Sequence, residues 1–292
     1  MIGCGEVGAC YAQALAAAGY TIAGLIDTQP SPALTALAKQ LGAPIHRRPD
    51  AHLAQADLVI SAVYGSAAHD TAAQAMPLLR AGALYADFTT ASPQAMHAID
   101  EIARTHKLRF VDVAITGAIR TTGAQTPLLC AGPDGDALRT VLSAAGIPIR
   151  KISARPGDAA SLKLMRSVIT KGMEALAVEC LVAAQRQGLR EALFDVLSDI
   201  DRTPLRVFLE TCVHTHVQHA PRRLVEVRQA KHQLRQAHVQ PLVMDGVEAL
   251  FARSAAALKQ SPPARVTSVE ESLAWLERVA LQSSSHADTP NV

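Results

Sequence analysis

The first eight residues, Met1-Ile2-Gly3-Cys4-Gly5-Glu6-Val7-Gly8, set three glycines at the spacing Gly-x-Gly-x-x-Gly directly ahead of an alanine-rich run, Ala9 to Ala18. At that spacing the first glycine permits a tight turn, the second lets backbone approach a pyrophosphate, and the third lets a helix pack close to a strand. The helix N-terminus then faces the anion. The same glycines are compatible with an ordinary turn, so context decides. Asp27 supplies some of it, lying 19 residues beyond Gly8 at the end of the apolar run Thr21 to Ile26. A dinucleotide fold holds there the acid that accepts from the adenosine ribose 2′-hydroxyl. The alternative is an Asp that opens a turn before Pro30 and Pro32. An acid at this position disfavours a 2′-phosphate, so NAD is the expected cofactor, with NADP less favoured although Arg47 and Arg48 lie nearby.

A second set of residues is suited to proton transfer. Moving a hydride between a secondary alcohol and a nicotinamide requires a group that takes the hydroxyl proton, and a lysine serves when burial or cationic neighbours lower its pKa. Lys163 stands early in a long helical segment, Ala159 to Gln187. That places it near an expected domain junction, where the crevice at the strand ends meets a covering helix. Most helix lysines are exposed, and the residue type alone leaves that reading open. Arg166 and Ser167 share the face of Lys163. Arg166 could hold a second anionic group, depress the Lys163 pKa, or pair with Glu174 at the surface. Thr116, Gly117 and Ala118 follow a strand end, where a hydroxyl and unhindered N–H groups could hold a carboxylate. A plain strand-to-loop turn is the alternative.

These residues need a scaffold, and the patterning predicts one. Short, continuous apolar runs (Thr21 to Ile26, Leu58 to Val63, Ala83 to Asp87, Arg109 to Asp112, Pro127 to Ala131, Ile147 to Arg150) alternate with helical stretches (Pro32 to Leu41, Ala67 to Leu79, a helix opened by Ser92-Pro93, Asp134 to Ala145). Runs of this kind belong to a parallel sheet covered on both faces. The expected fold is α/β: a doubly wound, Rossmann-type parallel sheet over residues 1–154, then an all-α domain over 155–281 and a frayed polar tail over 282–292. Pro204, Pro221, Pro241 and Pro262-Pro263 are expected to divide the helical domain. Only Met1 and Ile2 precede Gly3, whereas the central strand of such a sheet needs about five residues. The native chain is therefore expected to begin upstream.

Composition narrows the classes. A net charge of +2 and 3% aromatic residues give neither a polyelectrolyte nor a stacking platform, so nucleic acid is not an expected partner. Five cysteines without a Cys-x-x-Cys pair suit buried small hydrophobes in a reducing compartment. No run approaches the ~18 apolar residues that span a bilayer, and a cytoplasmic location without membrane contact is expected. His214, His216 and His219 lack converging further ligands, so no metal is expected and these histidines are read as solvated or capping.

Four stretches, in order, resemble the β-hydroxyacid dehydrogenase family, which includes 3-hydroxyisobutyrate dehydrogenase and 6-phosphogluconate dehydrogenase. Gly3 to Gly8 matches its cofactor loop, and Ala86-Asp87-Phe88-Thr89-Thr90-Ala91-Ser92-Pro93 resembles its Asp-x-Ser-Thr-x-x-Pro. Asp112-Val113-Ala114-Ile115-Thr116-Gly117-Ala118 is similar to its substrate motif Asp-x-Pro-x-Ser-Gly-Gly. Gly157-Asp158-Ala159-Ala160-Ser161-Leu162-Lys163 is similar to Gly-x-Gly-x-x-x-Lys, whose lysine is catalytic. The resemblance assigns Gly3, Cys4, Gly5, Glu6, Val7, Gly8, Asp27, Val63 and Thr90 to the cofactor. It assigns Thr116, Gly117, Ala118 and the place held by Ser167 to a small anionic substrate, and Lys163 to catalysis; Arg166 joins the substrate residues as a cation beside them, not through the resemblance. It implies an NAD(P)-dependent oxidoreductase acting between a carboxylate-bearing 3-hydroxy acid and its semialdehyde or keto partner. A homodimer is implied as well, packed through helix positions such as Leu164, Val168, Leu176 and Leu181. There are departures. Ser167 replaces the usual Asn, Ala118 the second Gly, Thr170 the Glu that donates a proton in decarboxylating relatives, and Val225-Glu226-Val227 a Lys-Asp-Leu for which only Arg222 or Arg223 could substitute. They fit a branch with a phosphogluconate-dehydrogenase-like C-terminal domain, and they keep a non-catalytic dinucleotide-binding sensor or scaffold as the alternative function.

Overall fold

A computed structural model describes residues 1–89 and 91–281. Thr90 and the 282–292 tail lie outside the described residues. The described residues form two compact units, divided between Val168 and Ile169.

In the first unit the apolar runs become strands β1 (Leu25–Ile26), β2 (Ile45–His46), β3 (Leu58–Ser61), β4 (Leu84–Asp87), β5 (Arg109–Ile115), β6 (Leu128–Ala131) and β7 (Ile149–Ser153). β1 pairs with β2, and β3 to β7 follow in sequence order. Ile2 joins the two sets, bridging Ile26 on one side and Ser61 on the other. It donates to Ile60 O at 2.8 Å and accepts from Ala62 N at 2.7 Å, while Met1 O accepts from Ile26 N at 2.8 Å. Met1 and Ile2 thus lie in the central strand position, directly ahead of the glycine turn.

Helices α1 (Glu6–Ala17), α2 (Pro32–Leu41), α3 (Ala68–Ala75), α4 (Pro93–Thr105), α5 (Ile119–Thr122) and α6 (Gly135–Ala144) connect the strands. The starts of α2 and α4 are written in the sequence: Ser31 and Ser92 accept from Leu34 N and Ala95 N, each at 3.1 Å, with proline at the first helical position. Neighbouring strand residues sort to opposite faces of the sheet. Val59, Tyr85 and Phe110 pack with Met76, Met96 and Ile99, whereas Ile60, Leu84 and Val111 pack with Tyr11, Leu138 and Leu142.

Several expectations are corrected. The sheet is not wholly parallel, since β6 runs antiparallel to β5. The connection between them carries only the four-residue α5 and one 3₁₀ turn, Gly123–Gln125, so the chain doubles back beside β5. The strand expected from Thr21 shrinks to Leu25–Ile26, and β2 went unread because its two residues make no apolar run. α3 stops at Ala75, where Pro77 converts the next turn to 3₁₀. β7 starts at Ile149, after Pro148, which has no N–H to donate.

The long helix α7 (Asp158–Arg186) carries the division between the units, so its first turns belong with the sheet. Ala159 packs on Ala114 and Ala131, and Ala160 joins the Val59–Tyr85 face. The second unit continues through α8 (Arg190–Val196), α9 (Ser198–Asp201), α10 (Leu205–Gln236), α11 (Leu242–Gln260) and α12 (Val269–Trp275), with a π turn over Leu276–Ala280. Pro221 does not divide this unit but lies inside α10. Val217, one turn ahead of it, is buried with Ala257, Trp275 and Leu276. That packing offsets an interior proline's intrinsic penalty of about 3 kcal/mol. Glu179 is buried and accepts from Val243 N and, at 3.3 Å, Met244 N, which caps α11. Among the described residues no helix is long and apolar enough to cross a membrane.

Candidate active site

The glycine loop has the tight packing that its spacing predicts. Gly3 has φ +78°, and a Cβ on it would stand 2.6 Å from Ala62 O and 2.8 Å from Val63 N. A Cβ on Gly8 would lie 1.9 Å from Gly3 O, so α1 can press onto the turn only with glycine there. Around Gly5 nothing lies within 4 Å of such an atom. Gly5 is the N-cap of α1 and supplies no side-chain cap, and the first helical bond runs from Ala9 N to Gly5 O at 3.0 Å. The preceding N–H groups of the first turn are therefore outside the helical ladder, beside open space. Asp27 lies next to this loop: its Oδ2 accepts from Cys4 N and its Oδ1 from Gln29 N, each at 2.9 Å. An open cradle over Gly5, an uncapped helix start and an adjacent carboxylate fit a dinucleotide.

The remaining loop residues divide by environment. Val7 packs partly into the core and Cys4 is buried. Burial pushes the Cys4 thiol up to about 11, which suits packing rather than nucleophilic chemistry. Glu6 is exposed and accepts from Arg120 Nε at 3.0 Å, a bond between the cofactor loop and the loop after β5.

That second loop begins at Thr116, where β5 ends. The Thr116 hydroxyl donates to Pro127 O at 2.7 Å, and a Cβ on Gly117 would stand 2.9 Å from Thr126 Cγ2. Gly117 and Ala118 are exposed. β5 presents Asp112, Ala114 and Thr116 on one face, since side chains alternate along a strand, and α7 crosses that face with Ala159 on Ala114.

Lys163, one turn beyond Ala159, is half-buried. Burial holds its ammonium below the ordinary lysine range, and the negative charge of Asp112 partly opposes that shift. Ser167 donates its hydroxyl to Lys163 O at 3.0 Å. Arg166 is exposed, and Glu174 accepts from Lys171 at 2.6 Å.

Asp112 and Asp87, present in the sequence only as letters of two motifs, are buried acids beside this region. They are paired in register on β5 and β4, and both are fully buried. Asp112 Oδ2 accepts from Gly157 N at 2.9 Å and Ala160 N at 3.1 Å at the entry to α7. Asp87 Oδ1 accepts from the Thr89 hydroxyl and, at 2.9 Å, from Thr89 N. Burial pushes both carboxyls up to about 6. The signal was available: an acid inside a run otherwise apolar on both faces needs partners.

The histidines of α10 are neither solvated as a group nor simple caps. His216 is buried, bonds through Nε2 to Ser254 Oγ at 2.9 Å and packs edge-on against Phe251; burial holds it below the ordinary range. His214 Nδ1 lies 3.2 Å from Ser272 Oγ, and His219 is exposed. A different trio, His46, Asp50 and His52, brings its polar atoms within 4.8 Å of one another. Its Asp50 oxygens are engaged by His46 Nδ1 at 2.7 Å and His52 N at 2.9 Å, which makes it the staple of the turn after β2. Arg222, offered above as a substitute for a missing lysine, pairs with Glu226.

Comparison with known proteins agrees with this geometry. Residues 1–147 match the profile of the NAD binding domain of 6-phosphogluconate dehydrogenase, and residues 184–254 match a domain of unknown function, DUF1932. The chain is 28% identical over 218 residues to an uncharacterised 28.5 kDa protein of Methanothermus fervidus, covering 74% of this chain and 82% of that one. It is 25% identical over 203 residues to a probable 3-hydroxyisobutyrate dehydrogenase of Mycobacterium bovis, covering 68% and 67%. Among solved structures, a conserved protein of unknown function described as structurally similar to 3-hydroxyacid dehydrogenases shares 28% identity at a TM-score of 0.61, over 89% of this chain and 97% of that one. An imine reductase of Myxococcus stipitatus in complex with NAD+ has the same fold at a TM-score of 0.74 and 18% identity, over 94% and 97%. The chain belongs to the family built on the NAD binding domain of 6-phosphogluconate dehydrogenase, a family of NAD(P)-dependent, hydroxyacid-dehydrogenase-like proteins, and joins that domain to a helical region of the DUF1932 type.

Proposed function

We propose that the protein is an NAD(P)-dependent oxidoreductase that interconverts a small carboxylate-bearing 3-hydroxy acid and its semialdehyde or keto partner, with Lys163 as general acid and base. The observation that carries this reading is the placement of a half-buried lysine of lowered pKa on the helix that crosses the β5 face ending at Thr116. A nicotinamide dinucleotide, when bound, supplies the hydride acceptor or donor.

The chain's own residues do the rest. The N–H groups at the start of α1 and the open space over Gly5 receive the pyrophosphate, with Glu6 held by Arg120 at the loop's edge. Asp27 accepts from a ribose hydroxyl, which makes NAD the preferred form. Thr116, turning its hydroxyl from Pro127 O, acts with the Gly117 and Ala118 amides to hold the carboxylate, and Arg166 and Ser167 border the substrate. Neutral Lys163 takes the hydroxyl proton in oxidation, and its ammonium returns a proton in reduction. Thr170, where decarboxylating relatives have Glu, has no carboxyl to donate a proton, so the reaction stops at the redox step. The protein is proposed to act as a homodimer in the cytoplasm. α7 exposes Leu164, Val168 and Leu176, apolar positions through which such a dimer would pack.

A panel of 3-hydroxy acids, and of semialdehydes, keto acids and imines, assayed with NAD and NADP forms by reduced-cofactor absorbance tests this function. Turnover with a 3-hydroxy acid or its partner, faster with NAD, is expected. Tight NADH binding without turnover on any of them would replace the enzyme with a sensor, and turnover on imines alone would change the substrate class.

A further inference from the structure

We infer that Asp112 is the positioning residue of Lys163: its carboxylate fastens the start of α7 to the middle of β5 and supplies a buried negative charge that Lys163 senses. The inference rests on Lys163 as the proton-transfer group, but its basis is geometric. Asp112 Oδ2 takes two N–H bonds from the first turn of α7, at Gly157 and Ala160, and Lys163 follows Ala160 by three residues on the same helix. A carboxylate on a helix N-terminus is stabilising. Here it also fixes where the helix begins, and therefore where the lysine stands.

The second oxygen keeps its charge out of water. Asp112 Oδ1 and Asp87 Oδ2 are both buried and without a hydrogen-bond partner. Their residues are direct partners across β4 and β5, whose side chains leave the sheet on one face. Two buried acceptors in that position hold their protons more tightly than exposed carboxyls do, and both are ionised where a lysine titrates. Among the described residues, the charged and titratable groups near Asp112 are Asp87 from β4, Cys130 from β6, Asp158 and Lys163 from α7, and His97 from α4, whose Nε2 would be 2.9 Å from a Cβ on Gly157. Arg155 pairs with Asp158 at 2.9 Å, and the charge of Asp112 acts on Lys163. Through the pH range in which a lysine titrates, Asp112 is ionised and presents that negative charge to it.

Competitive acetylation of Lys163 across pH, read by mass spectrometry on the full chain, measures its ionisation without any substrate. It therefore reports on Asp112 even if Lys163 proves not to be catalytic, a failure that the turnover panel would show separately. Asp112→Asn removes the charge but keeps the shape, and the Lys163 midpoint is expected to fall by about half a pH unit, roughly three-fold more neutral amine at a given pH. Asp87→Asn removes the neighbouring charge and leaves both Asp112 bonds to α7 in place, so the midpoint is expected to move by less than it does in Asp112→Asn. A folded Asp112→Asn protein with an unmoved midpoint would overturn the positioning role. If Asp112→Asn does not fold, Asp87→Asn still decides: a midpoint lowered by about half a unit or more overturns the assignment of that charge to Asp112.

Discussion

Two glycines only three residues apart should fail in opposite ways when each is replaced by alanine. At Gly8 the new Cβ would be 1.9 Å from Gly3 O, main chain that cannot swing aside. The start of α1 must then back away from the turn by more than an ångström, and over-packing of that kind costs about 1–3 kcal/mol, occasionally more. For a chain of this size the melting temperature should drop by roughly 3–10 °C. At Gly5 the Cβ meets nothing within 4 Å, so Gly5→Ala forfeits only an N-cap preference of about 1 kcal/mol at most. The same methyl occupies the space proposed for the pyrophosphate, and NADH affinity should fall by at least about ten-fold, ~1.4 kcal/mol. Thermal melts followed by circular dichroism and NADH fluorescence titrations separate the two effects. The reasoning fails if Gly5→Ala binds NADH like the parent, or if it melts as early as Gly8→Ala.

Two other outcomes follow from the buried carboxylates. Asp87 and Asp112 have folded pKa values raised from 3.8 to about 6, so the stability they contribute is complete below about pH 4 and is lost as pH rises through 6. At ~1.4 kcal/mol per pH unit this is about 3 kcal/mol for each group. Urea denaturation at a series of pH values should therefore show Asp87→Asn gaining stability on the parent between pH 4 and 7; a constant difference would contradict the assignment. In the helical unit, Glu179→Gln weakens the charged cap on α11 and should lower stability by about 1–2 kcal/mol. Faster hydrogen exchange at Val243 and Met244 is the expected local sign, and unchanged exchange there would count against the cap.

What could be read in the sequence, and what could not, follows from the range of the interactions. The glycine loop, the serine-capped helices α2 and α4 and the length of α7 are local patterns, and they appear where spacing placed them. The reversal of β6 was not legible, because strand direction depends on whether a connection can cross the sheet, and an apolar run carries no direction. Pro221 reads as a break until Val217 is seen packed beneath Trp275. Asp112 and Thr116 stood in one motif, but only the register with Asp87 and the bonds to Gly157 and Ala160 reveal what the aspartate holds. His216 looked like a surface histidine because its partners, Ser254 and Phe251, lie more than thirty residues away on α11.

The most direct test of Lys163 is a single-turnover experiment on Lys163→Met with the best substrate from the turnover panel, run beside an NADH titration of the same protein. Binding within about three-fold of the parent, with the redox step slowed at least about 100-fold, is the expected result, as general acid–base groups contribute ~10²–10⁴-fold. A redox step at the parental rate with binding intact would show that another group moves the proton.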